Sequence, residues 1–140
     1  MQKCIFYFYN KMGVVKLLHE ELSYKIRGIL FTVHNYLGSY RNEKQYCDGI
    51  ARGFDIKIVP YEREVILPSS FPGEKPGRNK LDFLVANLVI IEVKAVPRLS
   101  RNDYQQCMRY LVSSGKDLCL LVNFYPDNLY IKRILNPNLL

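Results

Sequence analysis

Asp82 lies in one apolar segment and Glu92-Val93-Lys94 in the next. Alternation along an extended strand places Glu92 and Lys94 on one face and Val89, Ile91 and Val93 on the other, so acid and base stand together among apolar neighbours. An unpaired buried ion costs several kcal/mol, comparable to the whole margin of a small domain. A divalent cation shared by Asp82 and Glu92 would cancel the repulsion between the carboxylates. An ion pair of Glu92 with Lys94, or with a helix lysine, fits the same spacing without catalysis.

The elements that must hold these residues are readable from periodicity. Leu18, Leu22, Ile26, Ile29, Leu30, Val33 and Leu37 recur at helical spacing, which predicts a helix over 17–37. Asn42 with Gln45 has the form of a capping box opening a second helix to about Gly53, with Tyr46, Cys47, Ile50 and Phe54 inward. Ile56, Ile58 and Tyr61 alternate with polar residues, so strand character is expected from Asp55 to Leu67, and Pro68 to Gly77 reads as an extended turn. Strands are expected over 80–85 and 89–95. If Ala86-Asn87-Leu88 forms a three-residue loop with a left-handed Asn87, or a bulge lies near Asp82, then Asp82 pairs with Glu92 and their carboxyls share a side. Ser100 caps a third helix ending at Gly115, with Tyr104, Cys107, Met108 and Leu111 inward, and strands follow over 118–124 and 129–135. The order ααβββαββ describes an α/β fold, a mixed β-sheet flanked by helices.

At 140 residues with 49% hydrophobic and 24% charged residues, the chain has the make-up of one domain with its own core rather than of a disordered segment. Residues 1–16 read as an N-terminal extension, in which the segment before Met12 is an edge strand or leader, and either Met1 or Met12 could be the native start. No apolar stretch reaches the length of a membrane span. The four cysteines, Cys4, Cys47, Cys107 and Cys119, contain no CxxC pair, so reduced thiols in a cytoplasmic protein are expected rather than a zinc module or disulfide scaffold. A formal charge of +7 favours polyanionic partners, nucleic acid first. Arg98, Arg101, Arg109 and Lys116 follow the E-x-K segment and could form a phosphate-facing stripe, although solvated helix charges would look the same. Tyr40, Tyr104 and Tyr125 could stack on bases, the plainer alternative being half-buried tyrosines. His34 reads as a hydrogen-bonded boundary residue or a site contact, and Gln106 and Tyr110 as a surface pair.

Gly38, Glu43, Tyr46, Asp82, Glu92-x-Lys94-Ala95, Gln106-Cys-Met-Arg-Tyr110-Leu111 and Asn123-Phe124 together resemble the small GxxExxY proteins, members of the PD-(D/E)XK nuclease-like superfamily. The resemblance runs from about Glu21 to Arg133. It implies a restriction-endonuclease-like fold and Mg2+-dependent hydrolysis of phosphodiesters, with Mn2+ as a substitute metal and DNA as the first candidate substrate. It also implies Asp82 and Glu92 as metal ligands, Glu43 as a supplementary acid, Lys94 as the group acting on the attacking water, and Gln106 as a helix residue reaching the site. Lys80 stands where relatives often have arginine, and joins the expected nucleic-acid contacts. The chain departs from the pattern at Tyr40, where the family has glycine, and at Leu81, where the superfamily name has proline. The alternatives are a nucleic-acid-binding or partner-binding protein that keeps the fold without cleavage, and a regulatory or structural component. A homodimer would let so small a nuclease span two strands.

Overall fold

The computed structural model describes residues 11–139. Helix α1 (Lys11–Leu37) begins six residues before its expected start, because no proline interrupts the chain there and a nucleated helix extends at little cost. The expected edge strand or leader falls on residues outside those described, as does Cys4. Gly38 ends α1 in a left-handed conformation (φ 76°), its N–H donating to the His34 carbonyl at 2.8 Å.

Helix α2 (Glu43–Lys57) opens on the expected capping box of Asn42 and Gln45. It runs past Gly53, which corrects the strand expected from Asp55. Ile56 and Ile58 alternate with Lys57 yet remain exposed, so their pattern reports no buried strand face. Ile58 takes a left-handed conformation (φ 56°), and the Val59 N–H reaches back to the Phe54 carbonyl at 2.9 Å. Val59 and Phe54 are both buried, and their apolar contact accompanies this helix stop.

The strands are β1 (Tyr61–Ile66), β2 (Lys80–Val85), β3 (Val89–Lys94), β4 (Leu118–Asn123) and β5 (Tyr130–Leu135). They form one sheet in chain order, antiparallel except for the parallel pair β3–β4. That pair requires a crossover, supplied by α3 (Arg101–Ser114), which Ser100 caps and Gly115 ends. Strands β3 and β4 are central and covered on both faces, which explains their near-continuous apolar sequences.

One face packs on α1 and α2 through Ile26, Leu30, Tyr46, Ile50 and Phe54. The other packs on α3 through Cys107, Tyr110 and Leu111. Met108 is exposed, contrary to expectation, because Tyr110 completes the inner stripe in its place; this also removes Tyr110 from the surface pair expected with Gln106.

The two helices on the first face meet closely at Gly53, where a Cβ would lie 2.6 Å from Ile29 Cγ2. Gly53→Ala is expected to destabilise the chain by about 1–3 kcal/mol. Gly28→Ala, with nothing within 4 Å of its Cβ, is expected to stabilise it by up to ~1 kcal/mol. Urea denaturation of both variants measures the contrast.

Candidate active site

The β2–β3 turn fixes which residues can meet. Val85 pairs with Val89, Leu84 with Ile90 and Phe83 with Ile91 across the three-residue loop Ala86-Asn87-Leu88. Both Ala86 (φ 51°) and Asn87 (φ 57°) are left-handed, one more than the sequence suggested. The next rung would join Asp82 to Glu92, and there side chains replace the backbone ladder. The Asp82 N–H donates to Glu92 Oε1 at 3.1 Å, and the Val93 N–H donates to Asp82 Oδ2 at 2.8 Å. The two carboxyls thus meet where β2 and β3 part.

A second distortion supports that parting. Phe83 packs toward α1 and α2 while Leu81 packs toward α3, although residues two apart on a regular strand share a face. The chain turns over at Asp82, opposite Glu64, whose φ of 51° interrupts the β1–β2 register between Arg63↔Phe83 and Val65↔Leu81.

Lys94 does not form an ion pair with Glu92. Its Nζ donates to Gln106 Oε1 at 3.2 Å and lies 3.7 Å from Asp103 Oδ1. Asp103 is a site residue that the sequence reading missed. Its other oxygen accepts from the Ser100 N–H at 2.7 Å, so it is the acid of a capping box, and Ser100-x-x-Asp103 was the signal available. Asn123, noted in the sequence only as part of the resemblance, also has a positioning role. Its Oδ1 accepts from the Val96 N–H at 3.1 Å and its Nδ2 donates to the Val96 carbonyl at 2.8 Å, fixing the exit of β3.

Glu43 comes from the opposite layer, on the first turn of α2. The Tyr46 hydroxyl donates to the Gly38 carbonyl and accepts from the Arg41 N–H at 3.2 Å, which shapes the loop leading into Glu43. His34 is buried and its Nε2 donates to the Pro126 carbonyl at 3.0 Å, the boundary role anticipated for it. Glu43 does not close around the pair: among the described residues, no three His, Cys, Asp or Glu side chains gather closely enough to hold a metal ion.

Burial dominates the electrostatics. It pushes Glu92 up to about 9, with the Asp82 charge adding to the rise. Burial also raises Asp82, opposed by the Val93 amide and Lys94. Glu43 is raised by burial too, with Lys94 opposing and Asp82 adding. The site is therefore rich in carboxylates and short of positive charge, and two hard-oxygen donors side by side suit a divalent cation.

The expected basic stripe is not continuous. Arg98 precedes the start of α3 and Arg101 is its first residue. Lys116 bonds Asn87 at 3.1 Å, at the turn end of β3 and therefore roughly 15 Å from Lys94 at the rise of a strand. The Arg109 guanidinium lies 5.9 Å from the Tyr110 ring centroid, farther along α3. Lys80 stands 4.0 Å from Glu64. A groove of about 1210 Å3 between α1 and α2, lined by Tyr24, Gly28, Tyr36 and Gly53 among others, contains none of the acids of the site.

The raised Glu92 makes the metal-free fold sensitive to pH. Folded, it keeps its proton up to about 9; unfolded, it loses it near the usual 4.5. Its stabilising contribution is thus complete below 4.5 and is lost as pH rises toward 9, at up to about 1.4 kcal/mol per pH unit. Glu92→Gln is expected to gain stability over the parent progressively across this window, as read by urea midpoints in EDTA.

A family model of the PD-(D/E)XK nuclease superfamily matches residues 20–134. No curated protein matches the chain. Among solved structures, the chain is similar to an alkaline exonuclease (LHK-Exo) from Laribacter hongkongensis, with 14% sequence identity and a TM-score of 0.47 over 63% of this chain. It spans about half of that protein, 53%. With the family match extending across most of its length and over the whole sheet, the chain belongs to the PD-(D/E)XK nuclease superfamily.

Proposed function

We propose that the chain is a divalent-metal-dependent nuclease that hydrolyses phosphodiesters, with DNA as its first substrate and the GxxExxY proteins as its family within the superfamily. The observation carrying this reading is the pair Asp82–Glu92, held in contact by crossed amide bonds with too little positive charge beside it. The formal charge of +7 supports a polyanionic substrate. Asp82 and Glu92 would hold Mg2+ or Mn2+, with Glu43 acting from across the sheet edge through its charge or an intervening water. Bound there, the metal would polarise a phosphate oxygen and lower the pKa of a water.

The chain's own groups supply the rest. Gln106 and Asp103 hold Lys94, so its Nζ is pre-positioned to orient the attacking water and to meet charge that develops on the phosphate. Arg98 and Arg101, at the start of α3, would hold flanking phosphates. A second reading is a nucleic-acid binder that keeps the fold without cleaving. Cleavage assays on single-stranded, duplex, flapped and branched substrates with Mg2+ or Mn2+ separate the two.

Asp82→Asn and Glu92→Gln are each expected to abolish Mn2+ binding in calorimetry while the fold persists; unchanged affinity in both rejects this metal site. Lys94→Ala should retain metal affinity and lose about 100-fold or more in cleavage rate. Activity within about twofold of the parent removes Lys94 from its role. Replacing Arg98 and Arg101 with Ser should flatten the slope of log affinity against log salt by about one unit per lost phosphate contact, and replacing Lys116 should leave it unchanged.

A further inference from the structure

Two tyrosines lie beside the candidate site without any part in the chemistry above. Tyr104 follows Asp103 on α3 and precedes Gln106 by two residues, about half a helical turn, so it lies in the stretch of helix that carries both residues holding Lys94. Tyr130 opens β5. The sheet register runs Lys94↔Asn123↔Tyr130, which puts Tyr130 two strand spacings, roughly 10 Å, from Lys94 along the same edge. Leu129 and Ile131 pack toward α1 and α2, so Tyr130 faces the α3 side, the side of Lys94. The two tyrosines meet hydroxyl to hydroxyl at 3.2 Å. This contact fixes both rings from their tips and leaves Tyr130 41% exposed.

We propose that Tyr104 and Tyr130 form a stacking platform for an unpaired base next to the phosphate being cut, so that the nucleic acid is presented single-stranded at this point. The inference rests on the nuclease reading and adds the substrate form to it. An aromatic ring held at a surface offers a π-face to any base, and stacking of this kind tolerates sequence. A base inside a duplex has both faces covered by its neighbours and must leave the stack to use such a ring. The spacing from Lys94 suits a nucleotide adjacent to the one whose phosphate sits at Asp82 and Glu92. Tyr104 stays neutral, its phenol pushed up to about 12 chiefly by its bond to Tyr130, so the pair brings an aromatic surface to the site without added charge.

Anisotropy with labelled 15-mers of oligo-dT and oligo-U and a 15-base-pair DNA duplex, using the full chain in EDTA, tests this. Single strands are expected to bind at least about fivefold more tightly than the duplex. Tyr130→Leu, which keeps apolar bulk without a π-face, should weaken single-strand binding about fivefold or more, the low end for losing one base–aromatic stack. Its salt slope should not change, because no phosphate contact is lost. Tyr130→Phe should retain most of the affinity, and Tyr24→Leu, on the outer face of α1, all of it. Equal losses on single strands and duplex, no loss with Tyr130→Leu, or a loss with Tyr130→Phe as large as with Tyr130→Leu would each overturn the platform while nucleic-acid binding stands. Absence of binding to all three probes would overturn the nucleic-acid reading and the platform with it. Oligo-dT against oligo-U then identifies which kind of single strand is held.

Discussion

The arrangement of this protein's candidate site depends on one exchange of hydrogen bonds, in which the amides of Asp82 and Val93 turn from the strand ladder to the carboxylates of Glu92 and Asp82. A buried amide must find an acceptor, and here the acceptors are the acids themselves. Each strand thereby grips the side chain of the other at the place where the sheet opens. The same bonds use only part of each carboxylate's capacity, since a carboxylate offers two oxygens and several lone pairs. Structural and chemical roles are divided between atoms of the same residue.

The other half of the site is held from beyond the sheet. Asp103 spends one oxygen on the start of α3 and turns the other toward Lys94, so the helix cap also serves as a fixed anchor for the lysine. Asn123 clasps Val96 on both its N–H and its carbonyl, which sets where the chain leaves β3 before entering that helix. Such bidentate side-chain bonds to backbone keep α3 in step with β4. On the opposite layer, Tyr46 stacks on Phe124 with centroids 4.3 Å apart while its hydroxyl braces the Gly38 loop. The loop leading into Glu43 is thus braced by packed aromatic side chains, and the Glu43 carboxyl accepts from the Ala95 amide at the exit of β3.

Much of this was legible in the sequence because the central strands are so strongly apolar that an acid within them stands out. The order of elements, the first helix's inner face, the capping box of Asn42 and Gln45, the Ser100 cap and the hairpin register all follow from local patterns whose physical causes lie within a few residues. What was not legible depends on longer reach. Ile56 and Ile58 alternate like a strand, yet the helix stop at Val59 and Phe54 needs the core to close on it. Met108 and Tyr110 compete for one inner position, and only the shape of the α3 layer decides for tyrosine. Lys116 follows Lys94 in the chain, but the crossover carries it to the far end of the sheet. Asp103 was not legible because only the fold brings the start of α3 against Lys94.

The residues from Asp82 to Gln106 that make the pair and hold Lys94 form one unbroken stretch of chain, with only Glu43 contributed from before it. The largely exposed turn from Pro68 to Gly77 lies just upstream of that stretch. A break of the chain at this turn would leave the hairpin, the lysine and its helix together on one side and α1 and α2 on the other. The candidate site is then almost wholly carried by one segment, a cassette in its own right, and the two helices of the other layer serve as the scaffold on which it closes.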